Sequence, residues 1–412
     1  MTATLDRSTH VTGLRCRECA AEYPADARHV CEQCFGPLEV AYEFGAITRE
    51  QLSAGPTTMW RYAALLPAGH DPLTRVDLGA GWTPLVRAHN LGKALGMREL
   101  WVKDDSANPT HSFKDRVVSV AASKARELGF TTIACASTGN LANSVAAHAA
   151  RAGLRAVVFI PDDLEAGKTV TTAVYGQTVV AVEGNYDDVN RLCSEVGDDL
   201  PWAFVNVNLR PYYAEGSKTI GYEIAEQLGW RLPSQVVSPV ASGSLLTKVD
   251  KAFRELVSLG LVEGSDYRIY GAQPTGCSPV SAAYAHGWDV PKPVKPSTIA
   301  KSLAIGNPAD GPYALDVVRR TGGAIADVSD EEVVAGIRLL AETEGIFGET
   351  AGGVTIGTLR KLLADGLLDP GVPTVVLNTG DGLKTLDAVA PHVGPTVTIP
   401  PSLAAFREAG LS

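Results

Sequence analysis

No apolar stretch in the 412-residue chain approaches eighteen uninterrupted residues, so none is expected to span a bilayer. The amino terminus, MTATLDRSTH, lacks the apolar core of a secretory signal, and a cytoplasmic protein is expected. Long basic runs are missing as well. With a net charge of -10, nucleic acid and anionic membrane are poor partners. There is no sequence repeat, no HExxH and no GxSxG. EAGKT at 165–169 has Asp162 where a phosphate-binding loop needs its first glycine. GDGLKT at 380–385 has Thr385 where a dinucleotide fingerprint needs its third. These absences argue against ATP, NAD, catalytic zinc and a serine triad.

What is present is ordinary globular composition, 45% hydrophobic and 20% charged, with length enough for more than one domain. Four of the seven cysteines form two CxxC knuckles, Cys16 with Cys19 and Cys31 with Cys34. Each knuckle lets two thiolates reach one tetrahedral ion, so a zinc ribbon over residues 11–44 is expected, with disulfides or an iron centre as alternatives. Four thiolates leave no open coordination position, so such a metal would hold structure and do no chemistry. Charges around the knuckles nearly cancel, unlike those of a ribbon that reads DNA. The scattered Cys135, Cys193 and Cys277 read as small buried hydrophobes.

From about residue 75, strand and helix alternate. TTIACAS precedes the helical NLANSVAAHAARAG, and RAVVFIP, TVVAVEG and WAFVNV continue the series with helices between them. A second series runs from the helix SKTIGYEIAEQLG through QVVSPVAS and YRIYGAQP to PTVVLNTG. Ser329 with Glu332 three residues on makes a capping box for the helix that follows. Continuously apolar strands separated by helices predict an α/β fold of two doubly wound, mostly parallel sheets with a cleft between them.

Several turns lie at the carboxyl ends of predicted strands. ASTGN (136–140) opens a helix whose amides can collect a carboxylate. VASGSLLTK (240–248) is small enough for its amides to close on a phosphate dianion at a helix amino end. LNTGDGLK (377–384) puts Thr379 at its lip. With Lys114 in NPTHSFKDR between a phenylalanine and an aspartate, the set offers a phosphate cup, an imine-forming amine and a hydroxyl for a ring nitrogen. Pyridoxal phosphate needs those three.

NPTHSFKDR, STGN, EGSKT, ASGS and NTGDGLK, in this order, resemble threonine synthase over about residues 80–390. That enzyme belongs to the group of tryptophan synthase β and threonine deaminase, within which SFKDR is quite specific to threonine synthases; some of these also carry amino-terminal CxxC pairs. The resemblance implies a fold type II, pyridoxal-phosphate-dependent lyase. Its reaction would turn O-phospho-L-homoserine and water into L-threonine and phosphate by γ-elimination and β-addition.

Carried over by position, Lys114 would bear the cofactor and Asn140 would hold its phenolic oxygen. Ala241, Ser242, Gly243 and Ser244 would cup its phosphate, and Thr379 would face the pyridine nitrogen. Ser137, Thr138 and Asn140 lie where the substrate carboxylate is expected. Two positions depart from the family: the cup reads VASGS instead of a GNAGN-like run, and Tyr213 stands where NPYR carries the arginine for the substrate phosphate. Arg210, Lys218 or Asn208 is the expected replacement. A homodimer is the family expectation. The expected domains are a small one at 102–210, a large one from 75–101 and 211–395, and a tail at 396–412. The competing readings are a cysteate synthase on O-phosphoserine, a threonine deaminase, or a zinc-ribbon adaptor with an inactive enzyme domain.

Overall fold

A computed structural model describes residues 10–137, 139–162, 166–183, 186–264 and 266–410. Strands Val11–Cys16 (β1), Glu22–Tyr23 (β2) and Leu38–Tyr42 (β3) form an antiparallel sheet in the order β2-β1-β3. Beyond it come Leu85–Arg87 (β4) and Leu100–Asp104 (β5). Next are Thr132–Ala136 (β6), Arg155–Pro161 (β7), Thr178–Val182 (β8) and Ala203–Phe204 (β9), a parallel sheet in the order β8-β7-β6-β9. The chain then returns to β4 and β5. Gln235–Pro239 (β10), Arg268–Pro274 (β11), Ile325–Val328 (β12) and Thr374–Asn378 (β13) complete a six-stranded sheet, ordered β12-β11-β10-β13-β5-β4. It is parallel throughout except where β4 meets β5.

The sequence explains the burial. QVVSP of β10, TVVLN of β13 and TIACA of β6 are buried at every residue, as expected where helices cover both faces of a parallel sheet. β8 lies at an edge, and each of its residues is partly buried or exposed. The capping box forms: the Ser329 side chain accepts from the Glu332 amide, and Glu332 accepts from the Ser329 amide, at the head of Asp330–Glu344. That helix buries Val333, Val334, Ile337 and Leu340, matching its apolar face.

One consequence of the topology positions the site. β10 and β13 are adjacent and parallel, so the turns after Pro239 and Asn378 leave the sheet at the same edge. The turn after β6 leads into the helix Asn140–Ala152 in the other sheet's layer.

Candidate active site

Lys114 begins the helix Lys114–Glu127, and the two residues after it explain its setting. Asp115 is fully buried and accepts from the Thr110 amide (2.6 Å), the Thr110 hydroxyl (2.7 Å) and Ser144 of the helix after β6 (2.7 Å). Arg116 is also fully buried. It forks onto Asp105 (2.7 and 2.8 Å) and Glu223 (2.5 and 2.8 Å), while Lys103 donates to Glu223 from the other side (2.6 Å). Breaking such a buried pair by removing one partner costs about 3–5 kcal/mol, so the KDR run pins the helix start to both layers. Gly216 of EGSKT adds a close approach. A Cβ there would sit 2.5 Å from the Arg116 carbonyl oxygen.

Between these anchors Lys114 stays half-buried. Its ammonium donates to the Tyr213 hydroxyl (3.1 Å) and lies 4.6 Å from the centre of the Phe113 ring. Across the cleft, Asn140 Nδ2 donates to Glu349 Oε2 (2.8 Å), and its Oδ1 accepts from Lys384 Nζ (2.9 Å). Thr379 is buried; its hydroxyl donates to Glu349 Oε1 at 3.4 Å and its carbonyl accepts from the Phe113 amide. Asn140 and Thr379 therefore meet on one buried carboxyl group, and the Phe113 amide ties the start of the Lys114 helix to Thr379. Burial pushes the Glu349 carboxyl up, against the opposing pull of Asn140, Lys384, Thr379 and Lys114. Burial likewise pushes the Lys384 ammonium down, against the pull of Glu349.

At the same sheet edge, Ala241 to Ser244 form the turn into the helix Ser244–Ser258. Gly243, at the N-cap, holds φ +101° and has no side chain to cap the helix, and the Ser244 amide makes only a long hydrogen bond to the Ser242 hydroxyl (3.4 Å). The residues present fit pyridoxal phosphate. An uncapped helix amino end suits a phosphate, an amide donor suits a phenolate, and a lysine without a carboxylate partner suits an aldehyde.

The remaining expected residues fare differently. Ser137 is half-buried at the end of β6, and Thr138 lies outside the described residues. Arg210 donates to Asp310 (2.9 Å), whose amide in turn donates to the Ser242 carbonyl of the cup. Asn208 is used locally, accepting from the Phe204 amide and donating to the Trp202 carbonyl. Lys218 needs correction as a substrate contact. Its side chain is 0% exposed, and its ammonium is enclosed by Glu215 (2.7 Å), Glu255 (3.1 and 3.2 Å) and the Leu65 carbonyl (2.9 Å). A lysine so enclosed has no free donor direction toward a ligand.

Glu349 and Lys384 escaped the sequence reading. Lys384 ends the quoted NTGDGLK, which was a usable signal; Glu349 sits before the helix Thr350–Ala364, away from any strand end.

The four knuckle sulfurs lie within 4.8 Å of one another as free thiols. A tetrahedral thiolate site spans about 3.8 Å between sulfurs, so the cluster could hold such an ion. Burial alone would raise the Cys31 thiol, but the Tyr23 hydroxyl and the Cys34 and Gln33 amides bring it down to about 6.

Residues 76–380 match the pyridoxal-phosphate dependent enzyme family. The threonine synthase of Methanocaldococcus jannaschii is 38% identical over 380 residues, covering 91% of this chain and 93% of that protein. The chain belongs to the threonine synthase family. A second threonine synthase, from Methanosarcina acetivorans, is 36% identical over 405 residues, covering 96% of this chain and 98% of its own. The processed form of threonine deaminase isoform 2 from Solanum lycopersicum superposes with a TM-score of 0.64 at 20% identity, over 84% of this chain and 95% of that one. That likeness places this threonine synthase family member in fold type II. Among its described residues, no helix is long and apolar enough to cross a membrane.

Proposed function

We propose that this chain converts O-phospho-L-homoserine and water into L-threonine and phosphate, with pyridoxal 5'-phosphate carried on Lys114. The observation that carries the reading is that Asn140 and Thr379 meet on Glu349, whose carboxyl also feels the charge of Lys114, in a chain that shares over a third of its residues with a threonine synthase. Lys114 and Lys384 donate to a hydroxyl and an amide oxygen in place of carboxylates. Two such cations beside one carboxyl that burial pushes toward its neutral form favour a polyanionic ligand.

Bound there, the cofactor supplies a conjugated ring that accepts the electron pair left at the substrate Cα. The chain's residues supply the proton handling and the positioning. Lys114, once the substrate amine has taken its place, takes the Cα proton and later returns it. A Cβ proton and the γ-phosphate leave, Cγ takes up a proton to become the methyl group, and water adds at Cβ, so substrate and water balance threonine and phosphate. The Tyr213 hydroxyl, accepting from Lys114, keeps its own hydrogen available for the departing phosphate. Asn140 would offer its Nδ2 to the phenolic oxygen, with Lys384 on its Oδ1 fixing which end of the amide donates. Thr379 would present a hydroxyl to the pyridine nitrogen, which would leave the ring unprotonated and favour elimination and replacement over transamination. Ser137 and Thr138 take the substrate carboxylate.

Cys16, Cys19, Cys31 and Cys34 bind one structural zinc ion in this reading. The working protein is a cytoplasmic homodimer, tested by sedimentation and fractionation. The proposed domains are the metal module at 11–44, 102–210, 75–101 with 211–395, and a tail at 396–412.

The deciding experiment gives the purified chain O-phosphohomoserine and O-phosphoserine side by side. Threonine and phosphate in equal amounts from the first are expected. Consumption of O-phosphoserine without threonine would replace the proposal with the cysteate synthase reading, which rests on Tyr213 standing in for arginine.

A further inference from the structure

The cysteine module is seated on the cup. Between Cys16 and Cys19, two side chains reach out of the first knuckle. The Arg17 guanidinium stacks 3.5 Å from the centre of the Tyr313 ring and pairs with Asp310 (3.5 Å), and Glu18 accepts from the Tyr313 hydroxyl. Asp310 and Tyr313 open the helix Gly311–Thr321. Asp310 stands at the N-cap position, where an aspartate ordinarily caps its own helix, yet its side chain makes no cap hydrogen bond. Its carboxylate is turned to two arginines instead, Arg17 and Arg210 (2.9 Å).

The main chain of Asp310 touches the cup directly. Its amide donates to the Ser242 carbonyl (2.9 Å), and a Cβ on Gly243 would sit 2.7 Å from its carbonyl oxygen. Gly243 reaches its φ of +101° only because it is glycine, so this is the cup's least replaceable residue. The path from knuckle to cup is thus continuous: Cys16–Cys19 backbone, Arg17, the Asp310 carboxylate, the Asp310 main chain, Ser242 and Gly243. Gly36, from the second knuckle, packs on the first, since a Cβ there would lie 3.0 Å from Cys16 Sγ and 2.7 Å from the Glu18 Cγ. The shape of the first knuckle therefore depends on how the four sulfurs are held together.

We propose that Arg17 and Asp310 couple the four-cysteine site to the cofactor's phosphate cup, so that metal in the knuckles tightens cofactor binding and bound cofactor tightens the metal. The inference rests on the reading of residues 241–244 as the phosphate cup and deepens it. The module takes no part in the chemistry; it sets the shape of the turn that receives the phosphate. Arg210 is then a strut on Asp310 and not a contact for the substrate. Coupling of this kind is reciprocal, with each ligand changing the other's affinity by the same factor.

The test titrates apo-protein with pyridoxal phosphate and reads the dissociation constant by fluorescence, for zinc-loaded chain and for chain stripped by a chelator under reducing conditions. Stripping, Arg17→Ala and Asp310→Asn should each weaken cofactor binding by about 5-fold or more. Arg17→Ala should keep its zinc, and stripping it should add little further loss. Arg17→Lys should recover part of the affinity, and Arg15→Ala, at an exposed position two residues earlier in β1, should leave it unchanged. In the reverse direction, added cofactor should slow zinc release to a colorimetric chelator in wild type and not in Arg17→Ala. Normal cofactor uptake that ignores both stripping and Arg17→Ala overturns the coupling alone. A zinc-loaded wild type that takes up no cofactor overturns the cup, and the coupling with it.

Discussion

The Tyr213 hydroxyl lies 3.1 Å from Lys114 Nζ, so the residue that departs from the NPYR pattern stands at the reactive amine. A tyrosine there can accept from the ammonium and donate onward, which an arginine cannot do. Tyr213→Phe is expected to retain the cofactor and its absorbance while lowering kcat by about 10²-fold, the lower end of general acid–base contributions. Steady-state kinetics with a spectrum of the resting protein checks this. An unchanged kcat would reduce Tyr213 to a packing residue.

Lys114→Ala is expected to lose the covalent cofactor band and turnover together. Borohydride treatment of the wild type followed by peptide mapping should find the label on Lys114. A label on Lys384, the other cation near Asn140, would reverse the two assignments.

How much of this was legible in the sequence depends on how local each cause is. Lys114, Asn140 and Thr379 sit in short motifs at helix starts or strand ends, where local pattern and chemistry coincide. Continuously apolar β6, β10 and β13 were legible for the same reason. Lys218 misled because only its first partner, Glu215, lies within EGSKT; the Glu255 carboxylate 37 residues on and the Leu65 carbonyl complete its enclosure, and a motif lysine gives no sign of them. Glu349 was invisible because nothing near it in sequence marks it as facing Asn140. The order β12-β11-β10-β13-β5-β4 is set by long crossovers, which strand pattern does not encode.

Lys384→Met should weaken cofactor binding by about 10-fold, as expected for loss of one hydrogen bond from a charged group. Without the ammonium on Oδ1, the Asn140 amide is free to turn its acceptor toward the phenolic oxygen. The dissociation constant of the cofactor is the readout, and Lys384→Arg should retain most of the affinity.

Stability should fall in acid through the cluster behind Lys114. Burial raises the Glu223 carboxyl, but Arg116 and Lys103 outweigh it and hold the group at about 2, below the ordinary 4.5. A carboxyl lowered in the folded state contributes stability that is present above 4.5 and lost as pH falls toward 2. Denaturant midpoints of the wild type should therefore drop across that window. Glu223→Gln should be less stable at neutral pH and show a shallower acid dependence. Equal slopes for the two proteins would remove Glu223 from the acid response.

The central place of β13 has a consequence for how the chain is made. β13 pairs with β10 on one side and β5 on the other, yet begins only at Thr374. Until that segment emerges from the ribosome, the two longest-waiting edges of the large sheet lie open, and an open strand edge invites pairing with a neighbouring chain. A nascent chain must carry the β5 edge, together with Lys114, for some 270 residues and the β10 edge for some 135 before Thr379 and the last strand close the site. Biosynthesis therefore exposes the molecule to self-association for most of its length and completes the reactive centre only near the end.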